Sequence, residues 1–175
     1  MSKKNYIAAA KKSADIQINE LKKVKKIFNK SFIKAVDLIL NCKGKIIFAG
    51  IGKSGLIARK ISATFSSVGI PSFFCDPAQA LHGDMGQIEK KDILMIFSYS
   101  GNTSELTNMI KYANRYSIKI IGIASKPDSI LLKASDIKLI LPKVKESDVT
   151  GMVPTSSTSI TPVSYTHLTL PTISS

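Results

Sequence analysis

The chain has 175 residues, 44% of them hydrophobic and 21% charged, which suits one globular domain with its own core and excludes collagenous, disordered and disulfide-stapled classes. Its formal charge is +13, yet only Arg59 and Arg115 are arginines and the lysines are scattered; bidentate phosphate and base contacts favour arginine, so the excess points to solubility and attraction of small anions rather than to nucleic-acid binding. No apolar run approaches the roughly 18 residues of a membrane span, the polar start is neither signal peptide nor lipidation site, and Cys42 and Cys75 lack CxxC spacing or nearby histidines, so a cytoplasmic protein without a metal site is expected.

Residues 5 to about 40 carry apolar side chains at helical spacing, Ile18, Leu21, Val24 and Ile27, then Phe32, Val36 and Ile39, which predicts two amphipathic helices or one bent helix. Lys45 to Gly50 is an apolar, β-branched run that stops at glycine, the pattern of a buried parallel strand. The alternation then repeats. Residues 54–68 read as helix, 72–75 and 93–97 as strands, 104–116 as helix, 119–124 as strand, 129–134 as a short helix and 137–141 as a strand. Strands alternating with helices imply right-handed crossovers and a parallel sheet covered on both faces. The expected fold class is α/β, doubly wound, with a helical segment over 1–42 and the α/β domain over 43–160. Ligands in such folds bind at the carboxyl ends of the strands.

Three loops follow strands. The first, Gly50-Ile51-Gly52-Lys53-Ser54-Gly55, matches G-x-G-x-x-G at a helix start, with Asp76 about 20 residues further on, the dinucleotide fingerprint in outline. Glycines let backbone approach a phosphate and the helix N-terminus offers free N–H groups; the lesser alternative for the segment taken alone is a tight turn with a lysine pointing at solvent. A Walker A loop is excluded, because Ile47 stands where its first glycine would be. The second loop, Ser98-Tyr99-Ser100-Gly101-Asn102-Thr103-Ser104, offers several hydroxyls before another helix, more than an N-cap requires. The third, Pro154 to Ser159, is a hydroxyl-lined loop or a polar linker.

Gly50 to Gly55, Pro71 to Phe74, Ala80 to Gly86, Ser98 to Thr103 and Val153 to Thr158 together resemble, in order over roughly residues 5 to 160, the sugar isomerase (SIS) domain of D-arabinose 5-phosphate isomerases. The resemblance implies a five-stranded parallel sheet flanked by helices. It also implies interconversion of D-ribulose 5-phosphate and D-arabinose 5-phosphate through an enediolate, on the way to the Kdo sugar of lipopolysaccharide, with no cofactor. It assigns Lys53 to stabilising the enediolate, His82 to ring opening or proton movement, and Glu146 to the role of base. The phosphate anchor would be Gly52, Ser54, Ser98, Ser100 and Thr103 with the backbone N–H of Tyr99, joined by Thr155 and Ser156. Without the resemblance, His82 reads as a structural loop residue and Glu146 as an exposed charge. The partner is a sugar phosphate, and amphipathic N-terminal helices suit a homo-oligomer of the full-length protein.

The chain departs from the family in three places. Asn102 stands where the family often has glutamate, which leaves Glu146 with more to do. A second histidine is expected beyond residue 175. After Thr158 the family continues with an apolar helix, whereas Pro162 to Thr172 resembles a translated transposon end and adapter from sequencing-library preparation; a divergent strand over Val163 to Leu170 is the alternative. Residues 161–175 are therefore expected to be a non-native tail on a chain cut short before the end of its catalytic domain and without regulatory modules. One sheet face would then be bare, the protein poorly soluble, and the chain as written inactive.

Two other classes fit part of the pattern. A non-catalytic sugar-phosphate-binding regulatory domain would keep the phosphate loops and need neither Lys53, His82 nor Glu146. A dinucleotide-binding oxidoreductase is favoured by Asp76 and disfavoured by the second hydroxyl loop.

Overall fold

The computed structural model describes residues 3–148, 153, 155–166 and 168. The N-terminal segment forms α1 (Lys3–Leu21), a 3-10 stretch (Lys22–Ile27) and α2 (Lys30–Leu40). The chain restarts at α2 because the Asn29 side chain accepts the Ser31 N–H at 2.8 Å, an N-cap that satisfies one of the helix's orphan donors.

The α/β part then runs β1 (Ile46–Gly50), α3 (Gly52–Ser67), β2 (Ser72–Phe74), α4 (Pro77–Ala80), β3 (Ile93–Phe97), α5 (Leu106–Arg115), β4 (Lys119–Ala124), α6 (Ile130–Ala134) and β5 (Ile137–Ile140). All five strands are parallel, in the order β2-β1-β3-β4-β5. The strands lie where the apolar runs predict them, and α4 is a short helix where the sequence pattern predicts none.

Side chains alternate across the sheet, as the period of a strand requires. Phe48, Met95, Phe97 and Ile121 point to one face, where Ala58 and Phe65 of α3 and Ala35 and Ile39 of α2 cover them. Ile47, Leu94, Ile96 and Ile120 point to the other, against Leu106, Met109 and Ile110 of α5 and Leu131 of α6. Both faces of β1 and β3 are buried throughout, the condition of a parallel sheet.

The final element, α7 (Ser156–Thr166), corrects one expectation. The sheet face expected to be bare is covered: Ile160, Tyr165 and Leu168 are buried in the same cluster as Phe48 and Phe97, and the Tyr165 ring meets Phe97 edge-on at 5.0 Å between centroids. Helical signals are weak here because the segment is rich in serine and threonine and contains Pro162, which lacks a donor. Burial overrides that weak propensity. The hydroxyls of Thr161 and Ser164 bond back to the carbonyls of Ser157 and Ile160 at 2.8 and 2.6 Å, so these buried polar groups are satisfied. The third loop is correspondingly shorter than expected, since Ser156 already belongs to the helix. Pro154, His167 and residues 169–175 lie outside the described residues.

Candidate active site

Gly50 at the end of β1 is the register partner of Phe97 at the end of β3, so the loops that follow the two strands leave the sheet side by side. Chain order reverses between these strands, which is where doubly wound sheets form their ligand crevice. After β1 the chain turns through Gly52 at φ +57° with open space around it; backbone conformation, not crowding, asks for glycine there. Lys53 and Ser54 follow in the first turn of α3, beside its unpaired N–H groups.

After β3 the Ser98 hydroxyl lies 2.8 Å from that of Thr103 and accepts the Gly101 N–H at 3.1 Å, while Ser100 Oγ accepts the Asn102 N–H at 3.3 Å. Gly101 has φ +70°, and a Cβ on it would stand 2.2 Å from Ser129 Oγ, so both conformation and the approach of α6 exclude a side chain. Asn102 Oδ1 accepts the Ile130 N–H at 2.9 Å and stitches the loop to α6. The Tyr99 carbonyl accepts the N–H and hydroxyl of Ser125 at 2.9 and 2.8 Å.

Glu146 arrives from the other end of the chain, on an irregular segment after β5. Its Oε2 accepts the Thr155 N–H at 2.7 Å, the Thr155 hydroxyl at 3.0 Å and the Ser157 N–H at 3.3 Å. The carboxylate thus occupies the N-terminus of α7, whose dipole favours an anion. Burial pushes the Glu146 pKa up, but the bonds from Ser157 and Thr155 together outweigh it and hold the carboxyl below its usual range.

A hollow of about 150 Å³ joins these parts, lined by Lys53, Ser54, Ile57, Tyr99, Glu146, Ser157, Thr158 and Thr161. A cation, a carboxylate and a helix-borne hydroxyl therefore face one space, although two are carried by the β1–α3 turn and one by a residue more than 90 positions later. Other residues singled out from the sequence lie elsewhere. Ser98 is buried and, like Ser100 and Thr103, sits in the loop behind Tyr99 without lining the hollow. Thr155 is turned to Glu146, and Ser156 is fully buried. His82 is exposed in the turn after α4, its N–H bonded to the Gln79 carbonyl at 2.9 Å, and is not brought to this hollow within one chain. Ser157 and Thr158, in the third loop but not among its assigned anchor residues, and Thr161, beyond every motif, also line the hollow. Only the α7 backbone puts Thr161 one turn beyond Ser157.

A second hollow of about 360 Å³ opens on the α1 side of Glu146, lined among others by Lys12, Ser13, Lys145 and Ser147. The largest of the three, about 470 Å³, lies on the β2 side of β1 and holds Gly52, Arg59, Phe74 and Asp76 but neither Lys53 nor Glu146. Asp76 is already engaged there: it accepts the Ala78 N–H at 3.0 Å and pairs with Arg59 at 3.7 Å, whose guanidinium lies 4.1 Å over the Phe74 ring. The pKa of the adjacent Cys75 thiol is pushed up to about 11 by burial and by Asp84 and Asp76, which disfavours the nucleophilic thiolate. The hollow with the chemistry is the smaller one at the strand-order reversal.

The family model of the SIS domain matches residues 39–170. The chain belongs to the SIS-domain family. It is 39% identical over 157 residues to the arabinose 5-phosphate isomerase KdsD of Escherichia coli (strain K12), covering 90% of this chain and 48% of that protein, and 43% identical over 156 residues to the uncharacterized protein RP505 of Rickettsia prowazekii (strain Madrid E), covering 89% and 49%. The SIS-domain chain thus spans about half the length of the curated relatives it matches. Among solved structures, E. coli CFT073 c3406 in complex with arabinose 5-phosphate superposes with a TM-score of 0.92 at 30% identity, covering 98% of this chain and 92% of that one. The SIS fold expected from the motifs is the fold found.

Proposed function

We propose that this chain is the sugar-phosphate-binding and catalytic part of an aldose–ketose isomerase that interconverts D-ribulose 5-phosphate and D-arabinose 5-phosphate, supplying the precursor of Kdo. The observation that carries the reading is the meeting of Lys53, Ser54 and Glu146 in one hollow at the β1/β3 crevice. The likeness to KdsD and to a structure in complex with arabinose 5-phosphate supports the choice of substrate.

In this reading the phosphate sits on the first turn of α3, where backbone N–H groups and the Ser54 hydroxyl donate to it and the helix dipole favours its charge. The Tyr99 N–H completes the anchor from the neighbouring loop, while Ser98, Ser100 and Thr103 hold that loop in shape. Glu146 removes the proton from C2 of the open-chain aldose and returns it to C1 after the hydroxyl proton has moved, so no atom is gained or lost. The Lys53 ammonium stabilises the oxyanion of the enediolate between the two transfers. Thr155 and Ser157 keep Glu146 ionised and oriented rather than binding phosphate. His82 contributes only if a second copy of the chain carries it to the hollow.

Thermal unfolding in the presence of arabinose 5-phosphate and, separately, NADH tests the class, because only a ligand of the folded state raises Tm. The expected result is a rise with the sugar phosphate that Ser54→Ala reduces, and none with NADH. A rise with NADH alone would overturn the reading.

A further inference from the structure

We propose that Glu20, near the end of α1, is a positioning residue that fixes where the Glu146 carboxylate stands. The proposal rests on the reading of Glu146 as the proton-transferring group. Residues 142–147 belong to no helix or strand, so their backbone has no ladder to hold it, and most of the groups that do hold it come from distant parts of the chain. Glu20 Oε2 accepts the Lys145 N–H at 3.1 Å across 125 positions. The Tyr99 hydroxyl accepts the Val144 N–H at 3.3 Å. The Ser147 N–H goes to Thr155 Oγ1 at 2.8 Å, and the Ser147 hydroxyl takes bonds from Ser13 at 2.9 Å and Gln17 at 3.1 Å.

Glu146 is thus gripped on both sides of its own residue, and Glu20 is the charged member of the grip. A carboxylate accepting a backbone N–H makes a stronger and more directional bond than a neutral hydroxyl does. Glu20 is itself buried, a costly place for a charge unless it is paired; Lys23 pairs with the same oxygen that takes the Lys145 N–H. With Asp15 it is one of only two acidic residues before Asp37 in a lysine-rich segment. Solubility and helix propensity do not ask for a buried glutamate at this place, whereas a bare N–H beside Glu146 does. The bond from Lys23 comes first among the influences that hold the Glu20 carboxyl below its usual range, with the Lys145 N–H adding to it against burial, so Glu20 is ionised at neutral pH.

The test uses the 175-residue chain with Glu20→Ala, Glu20→Gln and Glu20→Asp. Three quantities are read: hydrogen exchange at the Lys145 amide, the titration midpoint of Glu146 by carbon-13 NMR of labelled carboxyls, and binding of arabinose 5-phosphate. Glu20→Ala is expected to speed Lys145 exchange by at least about tenfold, the factor implied by losing a hydrogen bond to a charged group, and to move the Glu146 midpoint upward as its donors lose their alignment. Glu20→Gln keeps an acceptor for Lys145 through a weaker, neutral bond, and is expected to speed exchange less than Glu20→Ala does and not to move the Glu146 midpoint upward. The sign is diagnostic, because removing a negative charge alone would move Glu146 downward in both variants. If Glu20→Ala does not fold, Glu20→Asp serves, since it keeps the charge and the Lys23 pair but falls short of the Lys145 N–H, and is expected to behave as Ala. Equal shifts in Ala and Gln, or an unmoved Glu146 in Ala and Asp, would overturn the proposal. Parent protein that fails to bind the sugar phosphate would remove the isomerase reading while exchange and titration still decide the role of Glu20.

Discussion

On one face of the sheet, α5 and α6 pack on β3 and β4, strands next to them in sequence, whereas the opposite face is closed by α2 and α3 together with segments from the two ends of the chain, α1 and α7. The first face is built from local connections and carries none of the groups that line the Lys53–Glu146 hollow. The second needs the chain's ends to meet, and Glu146, Ser157, Thr158 and Thr161 stand where they do. The Lys53–Glu146 hollow thus depends on the less local half of the molecule, whose assembly involves the greater loss of chain entropy.

The largest expected effect tests whether that second face is as well packed as the first. Tyr165→Ala should lower stability by about 3–5 kcal/mol, the range for deleting a buried aromatic side chain, comparable with Met109→Ala at about 2–5 kcal/mol on the local face. Denaturant midpoints measure both. A loss well under 1 kcal/mol for Tyr165→Ala beside a normal loss for Met109→Ala would mean that α7 is not seated on Phe97, and the comparison would break.

Next in size are two glycines in the loops that flank the crevice. Gly101→Ala should cost about 2–4 kcal/mol, because a left-handed conformation and overpacking against Ser129 add, while Gly52→Ala should cost about 1–2 kcal/mol from conformation alone. Equal losses would show that the Ser98–Thr103 loop yields to the clash and that the α6 contact does not fix it.

Much of this architecture is legible in the residues. Ile46 to Gly50, Ile93 to Phe97 and Lys119 to Ala124 are apolar, β-branched and bounded by turn residues, and no competing period disturbs them. The turn at Gly52 is legible for the same reason, since few other residues adopt its backbone. The α7 segment is not, because serine, threonine and Pro162 argue against a helix and only the burial of Ile160 and Tyr165 argues for one. Nor is the placement of Thr155, whose N–H and hydroxyl both go to Glu146, since a hydroxyl cluster does not reveal which anion it will meet. Glu20 is equally hidden, because a single glutamate on an amphipathic helix reads as a solvated charge until the fold brings Lys145 to it.

A smaller effect concerns acid. Glu146 and Glu20 both have folded pKa values held down by hydrogen bonds, so each contributes stability that is present above the unfolded value near 4.3 and lost as pH falls through the lower folded value. The parent protein should therefore lose Tm below about pH 4.3 more steeply than Glu146→Gln does. Parallel curves would mean that the α7 donors serve the carboxylate no better than water.

The smallest expected change has the opposite sign. The Tyr165 hydroxyl is buried with no hydrogen-bond partner among the described residues, so the folded state carries its desolvation without compensation. Tyr165→Phe keeps the ring that meets Phe97 and removes only that oxygen, and should raise stability by about 1 kcal/mol. The sign separates two ways of seating a helix of weak propensity. A gain means that the C-terminal end of α7 is held on the sheet by packing, with the Glu146 bonds fixing only its start. A loss would mean that the hydroxyl is bonded and that a polar contact pins the end of α7.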